Sequence, residues 1–210
     1  MAERPTAPRG PSAAAAAELD RGRGGPAPAA TLRARDPATG APLESIALTA
    51  PDDVARVVGE VVRVQPLWAL LRVRDRARYM RRMAQAVIDD FDELQELIGR
   101  EQGRPRAEVA TLELLAAIDA LMWIAEEGGG VLGLRRVGVS RSMSPAARAR
   151  IAFEPHGVIG VIGAGSAPFA QPLGQIAGAL LAGNGVVFKP AQRAALSGER
   201  ILSVLDSLER

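Results

Sequence analysis

The sequence predicts an α/β fold, with a helix-rich N-terminal region followed by an incomplete doubly wound parallel sheet. Three observations predict it. Apolar residues recur three and four apart through most of residues 51–129. Two short, almost wholly apolar runs, GVIGVIGA and GVVFKP, then alternate with further helical patterns. Aromatic residues make up only 3% of 210 positions, and the apolar content is Ala, Val and Leu, which disfavours a sandwich of aromatic strands.

Residues 1–30 are low-complexity Ala, Pro and Gly, with almost no side chain able to offset the entropy of ordering, and read as a disordered tail. TLRARDPATGAPLESIALT follows. Its two short runs flank DPATG, where Pro37 presets a turn and Gly40 accepts positive φ, so a hairpin is expected. Pro51 suits a first helical position, and Val54, Val57, Val58, Val61 and Val62 fall at helical spacing until QPLWALL interrupts. Helices are expected over roughly 73–89 and 90–101, the second ended by GRP at 103–105. The pattern from 106 is a longer helix, stopped by three glycines at 128–130.

Residues 134–157 read as two polar-alternating strands around SPAA, an exposed ribbon or an edge awaiting a partner. GVIGVIGA then has the pattern of a strand buried on both faces. A helix from about Pro168 to Ala182 closes on Gly183 and Asn184 as a C-cap. GVVFKP is a second buried strand, and LSGERILSVLDSLE a second helix. Strand, helix, strand, helix with short joins implies a parallel pair joined by a right-handed crossover, a first βαβα unit over 156–210.

Composition narrows the chemistry. The formal charge is +2, and the densest basic run, RVRDRARYMRR, has apolar residues between its arginines, so it is a solvated helix face and not a nucleic-acid surface. With no cysteine and one histidine, His156, the chain has no disulfide, thiolate metal site or thiol nucleophile. No apolar run reaches the ~18 residues of a membrane span without a charge or a Gly/Pro break, and the N-terminus lacks the apolar core of a secretory signal. A cytoplasmic location is expected.

Ligands of doubly wound sheets bind past the carboxyl ends of the strands. Two segments end there: GAGSAP at 163–168 and KPAQ at 189–192. Gly163, Ala164 and Gly165 let a ligand approach the backbone, and Ser166 offers a hydroxyl. Lys189, the only lysine in the chain, aims a flexible cation at the crevice, and Gln192 can hydrogen-bond a polyol such as ribose. GAGSAP is not the Gly-x-Gly-x-x-Gly fingerprint, and taken alone it fits a close-packed turn equally well.

The whole block EPHGVIGVIGAGSAPFAQPLGQIAGALLAGNGVVFKPAQ resembles the aldehyde dehydrogenase superfamily. Gly183, Asn184, Val186, Val187, Lys189 and Pro190 match its Gly-Asn-x-Val-Val-x-Lys-Pro pattern without a gap. Upstream, RDPATGAPL, TAPDDV, QPLWALL, RDRARYMRRMAQAV and REQGRP fall in the family's order, so the resemblance covers about 31–210. It implies a Rossmann-like NAD(P)-binding domain, an aldehyde substrate, a homo-oligomer and, over about 135–154, an oligomerisation ribbon. It implies that Ile162, Gly163, Ala164 and Gly165 line the cofactor and that Lys189 reaches the adenine ribose.

Two positions depart from the pattern. Gln192 stands where the family has an acidic ribose contact, which removes repulsion against a 2′-phosphate. NADP is therefore expected to be tolerated at least as well as in a relative with Glu there, and the cofactor is NAD or NADP. Ser166 aligns with the family's oxyanion-binding Asn, a donor class worth about 3–4 kcal/mol. The resemblance also places the nucleophilic Cys and the water-activating Glu beyond these residues. The chain is therefore expected to be the N-terminal portion of an enzyme, inactive alone. A non-catalytic partner of a full-length relative and one half of a split enzyme are the alternatives. Of the remaining candidates, Glu101 and Arg104 read as exposed helix-end residues, His156 as a turn residue, and Trp68 and Trp123 as core. Glu126 and Glu127 end a helix without a partner for general-base work.

Overall fold

The computed structural model describes residues 30–139, 142 and 148–206. The expected tail lies outside them except for Ala30, as does SPAA at 144–147. The chain is α/β as expected. Two strands open it, β1 (Thr31–Arg35) and β2 (Pro42–Ala47), paired antiparallel around DPATG. The Asp36 carboxylate accepts the amides of Ala38 at 2.8 Å and Thr39 at 3.3 Å, and Gly40 takes φ +73°. These amide donations, led by Ala38, hold the Asp36 carboxyl below its usual value.

Four helical stretches follow: α1 (Pro51–Ala69), α2 (Val73–Asp89), α3 (Phe91–Gln102) and a long rod. The rod comprises α4 (Arg106–Val109), a π-helical segment (Ala110–Leu115) and α5 (Ala116–Val131). Two sequence expectations fail here. QPLWALL does not interrupt α1, which runs through Pro66 to Ala69. Proline removes a single donor, and tertiary bonds compensate, because Gln65 Nε2 donates to the Gly183 carbonyl and Trp68 Nε1 to the Leu180 carbonyl, both at 2.8 Å. The glycines at 128–130 do not stop α5 either. Gly128 is there because a Cβ would collide with Leu181 of the next layer.

The ribbon forms as β3 (Arg135–Val137) against β4 (Ala149–Ile151), antiparallel and solvent-facing, with the Arg135 guanidinium over the Phe153 ring. Then β5 (Val158–Ile162), α6 (Ala170–Leu181), β6 (Gly185–Lys189), a 3-10 turn (Gln192–Ala194) and α7 (Ala195–Asp206) alternate. β5 and β6 pair in parallel, from Val158 opposite Gly185 to Ile162 opposite Lys189. The expected burial of both strand faces is corrected. In β5 only Val161 is buried, and Ile162 is 74% exposed, because β5 and β6 have no further strand neighbour among the described residues.

The core lies between α2, α5 and α6, with Met80, Met83, Leu121, Phe169, Leu173 and Ile176 essentially inaccessible. Trp123, expected inside, is 58% exposed because it falls on the face of α5 opposite Leu121 and Ala125. Trp68 is half-buried, edge-on to Tyr79 at 5.2 Å. Along α1, Val57, Val61, Gln65 and Trp68 turn inward, whereas Val54, Val58 and Val62 face out. Among the described residues no helix is long and apolar enough to cross a membrane.

Arg76 ties the layers together. Buried on α2, it donates to the carbonyls of Leu181 at 2.8 Å, Ala69 at 3.2 Å and Leu71 at 2.6 Å. Its guanidinium also packs against Gly183, which takes φ +94° as the glycine closing α6. Burial pulls its pKa below the usual arginine value. Arg76→Met leaves those acceptors without their donor and should lower unfolding free energy by about 2–4 kcal/mol, read as a shifted urea midpoint at unchanged slope.

Candidate functional site

The parallel pair brings GAGSAP and KPAQ to one edge. The ladder extends one bond past β5, with the Gly163 amide donating to the Lys189 carbonyl at 2.9 Å. A Cβ on Gly163 would stand 3.3 Å from the Ala191 nitrogen and 3.3 Å from Phe188 Cε2. The first glycine of the turn therefore answers to loop-on-loop packing. Gly165 has Ala191 Cβ at 3.8 Å, an ordinary contact. Ile162, Gly165, Ser166, Lys189 and Gln192 are exposed on this edge, and Gly163 and Ala164 are half-buried. Lys189 Nζ donates to the Pro190 carbonyl at 2.9 Å, so the ammonium is held locally by a neutral acceptor.

The helical preface supplies what holds this edge. Glu113, in the π segment and 1% exposed, accepts the amides of Phe169 at 3.1 Å and Ala170 at 2.9 Å on Oε2. Its Oε1 takes Arg104 Nη1 at 3.3 Å, and Arg104 Nη2 donates to the Ser166 carbonyl at 2.7 Å. Glu101, 6% exposed at the end of α3, accepts the amides of Leu196 and Ser197, each at 2.8 Å, and the Ser197 hydroxyl. Gln102 Nε2 donates to the Arg193 carbonyl at 3.1 Å.

Glu101 and Arg104 are thus not the exposed helix-end residues the sequence suggests. The Ser166 carbonyl held by Arg104 and the amides held by Glu101 lie more than 60 residues away in sequence, so local periodicity cannot reveal them. A signal was present nonetheless. Glu101 follows Leu94 and Ile98 on one helical row, and Glu113 sits between Val109 and Ala117, all four of those apolar residues being buried. A carboxylate on a buried row demands partners.

Asn184 fastens the N-terminal ends of the strands. It donates from Nδ2 to the Ala179 carbonyl and accepts the Gly157 amide on Oδ1, both at 3.1 Å. His156 is exposed just before that junction, and Glu126 and Glu127 do not join the site. Two concavities, of about 290 Å³ beside Leu43 and Arg100 and about 370 Å³ beside Val61 and Trp68, lie away from Ser166 and Lys189. The carboxyl edge itself is an open shelf. Among the described residues no cluster of three or more His, Asp or Glu has metal-holding geometry.

A helical preface clamped onto a parallel β–α–β edge defines a partial nucleotide-binding α/β fold. The chain belongs to the aldehyde dehydrogenase family, whose profile matches residues 26–209. It is 32% identical over 182 residues to N-succinylglutamate 5-semialdehyde dehydrogenase 2 of Caulobacter vibrioides, an alignment covering 85% of this chain and 36% of that protein. In fold it resembles the aldehyde dehydrogenase of Brucella melitensis biovar abortus, with TM-score 0.79 and 22% identity over 85% of this chain and 36% of that one. An E. coli NADP-dependent enzyme superposes with TM-score 0.76 at 27% identity, over 85% and 36% of the two chains. The chain spans about 36% of the length of these relatives.

Gly198 carries the underside of the shelf, where a Cβ would collide with the Pro190 ring. Gly198→Ala should cost about 1–3 kcal/mol in thermal or urea unfolding. It should also displace the Lys189 and Ala191 amide resonances more than those of β1 and β2.

Proposed function

We propose that this chain forms the adenosine-side shelf of an NAD(P) site serving aldehyde oxidation in the cytoplasm, and that these 210 residues do not oxidise aldehydes alone. The observation that carries the reading is the Gly163 amide to Lys189 carbonyl bond, which fastens the two segments side by side at the carboxyl edge of a parallel pair. Family membership and the similarity to an NADP-dependent enzyme support the cofactor class. The residues present fit an adenosine. Lys189 offers an ammonium on a flexible stem, and Gln192 a neutral amide for ribose hydroxyls. Ile162, exposed at the strand end, gives an apolar surface for a purine, Gly163 packs the two segments together, and the small residues Ala164 and Gly165 leave room for a ligand beside the backbone.

The bound cofactor supplies the oxidant. The chain's own residues orient its ribose and offer one hydroxyl donor, on Ser166, toward oxygen charge developing on an aldehyde. A serine hydroxyl is shorter than an Asn amide and rotates freely, so it is the weaker oxyanion donor. The absence of any cysteine among these residues supports inactivity of the chain alone, since the resemblance assigns the attack to a thiolate.

A second reading rests on the ribbon. Val137, Ile151 and Phe153 are 42%, 48% and 50% exposed on β3–β4 and the residues after it, an apolar face suited to another subunit, whether a second copy or a full-length relative.

Titration of the ¹⁵N-labelled chain with NADP⁺ and NAD⁺ tests the shelf. Shifts should concentrate at 162–166 and 189–192, and Lys189→Ala should weaken binding about tenfold. Gln192→Glu should lower the NADP⁺-to-NAD⁺ affinity ratio about tenfold, by placing a carboxylate against the 2′-phosphate. No shifts at these residues, or an unchanged ratio, would overturn the assignment. Turnover of aliphatic or aromatic aldehydes by the chain alone would overturn its inactivity.

A further inference from the structure

We propose that Glu101 and Glu113 are positioning residues that set the spacing of the two cofactor-facing segments, so that the helical preface gauges the shelf. The inference rests on the adenosine-site reading, but its geometry stands apart from it. Each carboxylate is buried, and each commits both oxygens. Glu113 holds the turn after β5 at its middle and its end, its Oε2 on the Phe169 and Ala170 amides and its Oε1 on Arg104, which carries the Ser166 carbonyl. Glu101 holds the segment after β6 through the Leu196 and Ser197 amides and the Ser197 hydroxyl. Gln102 adds a third tie at the Arg193 carbonyl.

Local capping does not account for this. A helix N-terminus is ordinarily capped by a Ser, Thr, Asp or Asn of its own sequence, without burying a remote charge. The residue before α6 is Phe169, which gives no side-chain cap. The caps here come from 56 to 96 residues upstream, from carboxylates whose desolvation is costly. A remote cap fixes something a local one cannot, namely where the helix start stands relative to the element that sends the cap.

The same short stretch sends both. Glu101 ends α3, and Glu113 lies across the Gly103 turn. That turn takes φ +64°, with Pro37 Cγ only 2.8 Å from where a Cβ would stand. The π segment Ala110–Leu115 alters the angular phase of the rod where Glu113 must face inward. One rigid corner therefore carries both reference points, one for Ser166 and one for the Lys189–Gln192 segment.

Residue-resolved amide exchange on the chain, with NADP⁺ titration beside it, tests the proposal. Glu113→Gln keeps the shape but loses the charge, and should speed exchange at Phe169, Ala170 and 163–166 at least tenfold. Glu101→Gln should do the same at 191–197. Neither should change exchange at Met80 or Leu121. Arg104→Gln, at a half-exposed site, should loosen 163–166 alone and covers the case in which a glutamate variant fails to fold. NADP⁺ affinity should fall about tenfold in Glu101→Gln, with Glu101→Asp failing to restore it because the carboxylate falls a methylene short. Uniform acceleration across the core, or no local acceleration in any variant, overturns the inference. If the unaltered chain binds no NADP⁺, the adenosine reading fails while the exchange data still decide the positioning role.

Discussion

Buried carboxylates facing the first amides of distant helices are the constraint on which the rest depends. A helix start leaves unpaired N–H groups that carry partial positive charge, and an acid placed there is stabilised by both features. Once Glu101 and Glu113 occupy these positions, the β–α–β edge can no longer slide on the helices that precede it. The amides so occupied are also withdrawn from any ligand. An anion arriving at this edge meets Lys189 and the exposed residues Gly165 and Ser166, not the helix-start amides that Glu101 and Glu113 occupy.

The opposite end of the sheet is closed by a different device with the same logic. Gly183 takes a left-handed conformation under the Arg76 guanidinium, and Asn184 bonds back to Ala179 and across to Gly157. This accounts physically for the Gly-Asn pair before β6. The positive φ of the first position favours glycine, and a residue without both donor and acceptor at the second would lose the side-chain ties to Ala179 and Gly157. Neither touches the carboxyl edge. Both set the height at which β6 begins, and hence where Lys189 ends.

Much of this was legible in the sequence because the determinants are local. Pro37 and Gly40 mark the hairpin, Gly183 and Asn184 the end of α6, and the alternation of apolar runs with helical patterns the parallel pair. The juxtaposition of Gly163 and Lys189 followed from the general behaviour of such sheets. What was not legible depends on partners far along the chain. Pro66 is tolerated inside α1 because Gln65 and Trp68 find carbonyls on α6 and its C-cap. Glu101 resembles any charge at a helix end until Ser197 is seen beneath it. The exposure of Ile162 depends on how many strands flank β5, which the composition of β5 does not encode.

The single lysine has a practical corollary. Because every other cationic side chain is a guanidinium, Lys189 is the sole ε-amine in these 210 residues, and it is solvent-facing. An amine-directed reagent such as a fluorescent ester would mark this one side chain besides the α-amino group. A dye could thus be installed at the tip of β6 by ordinary conjugation chemistry, with no engineered handle.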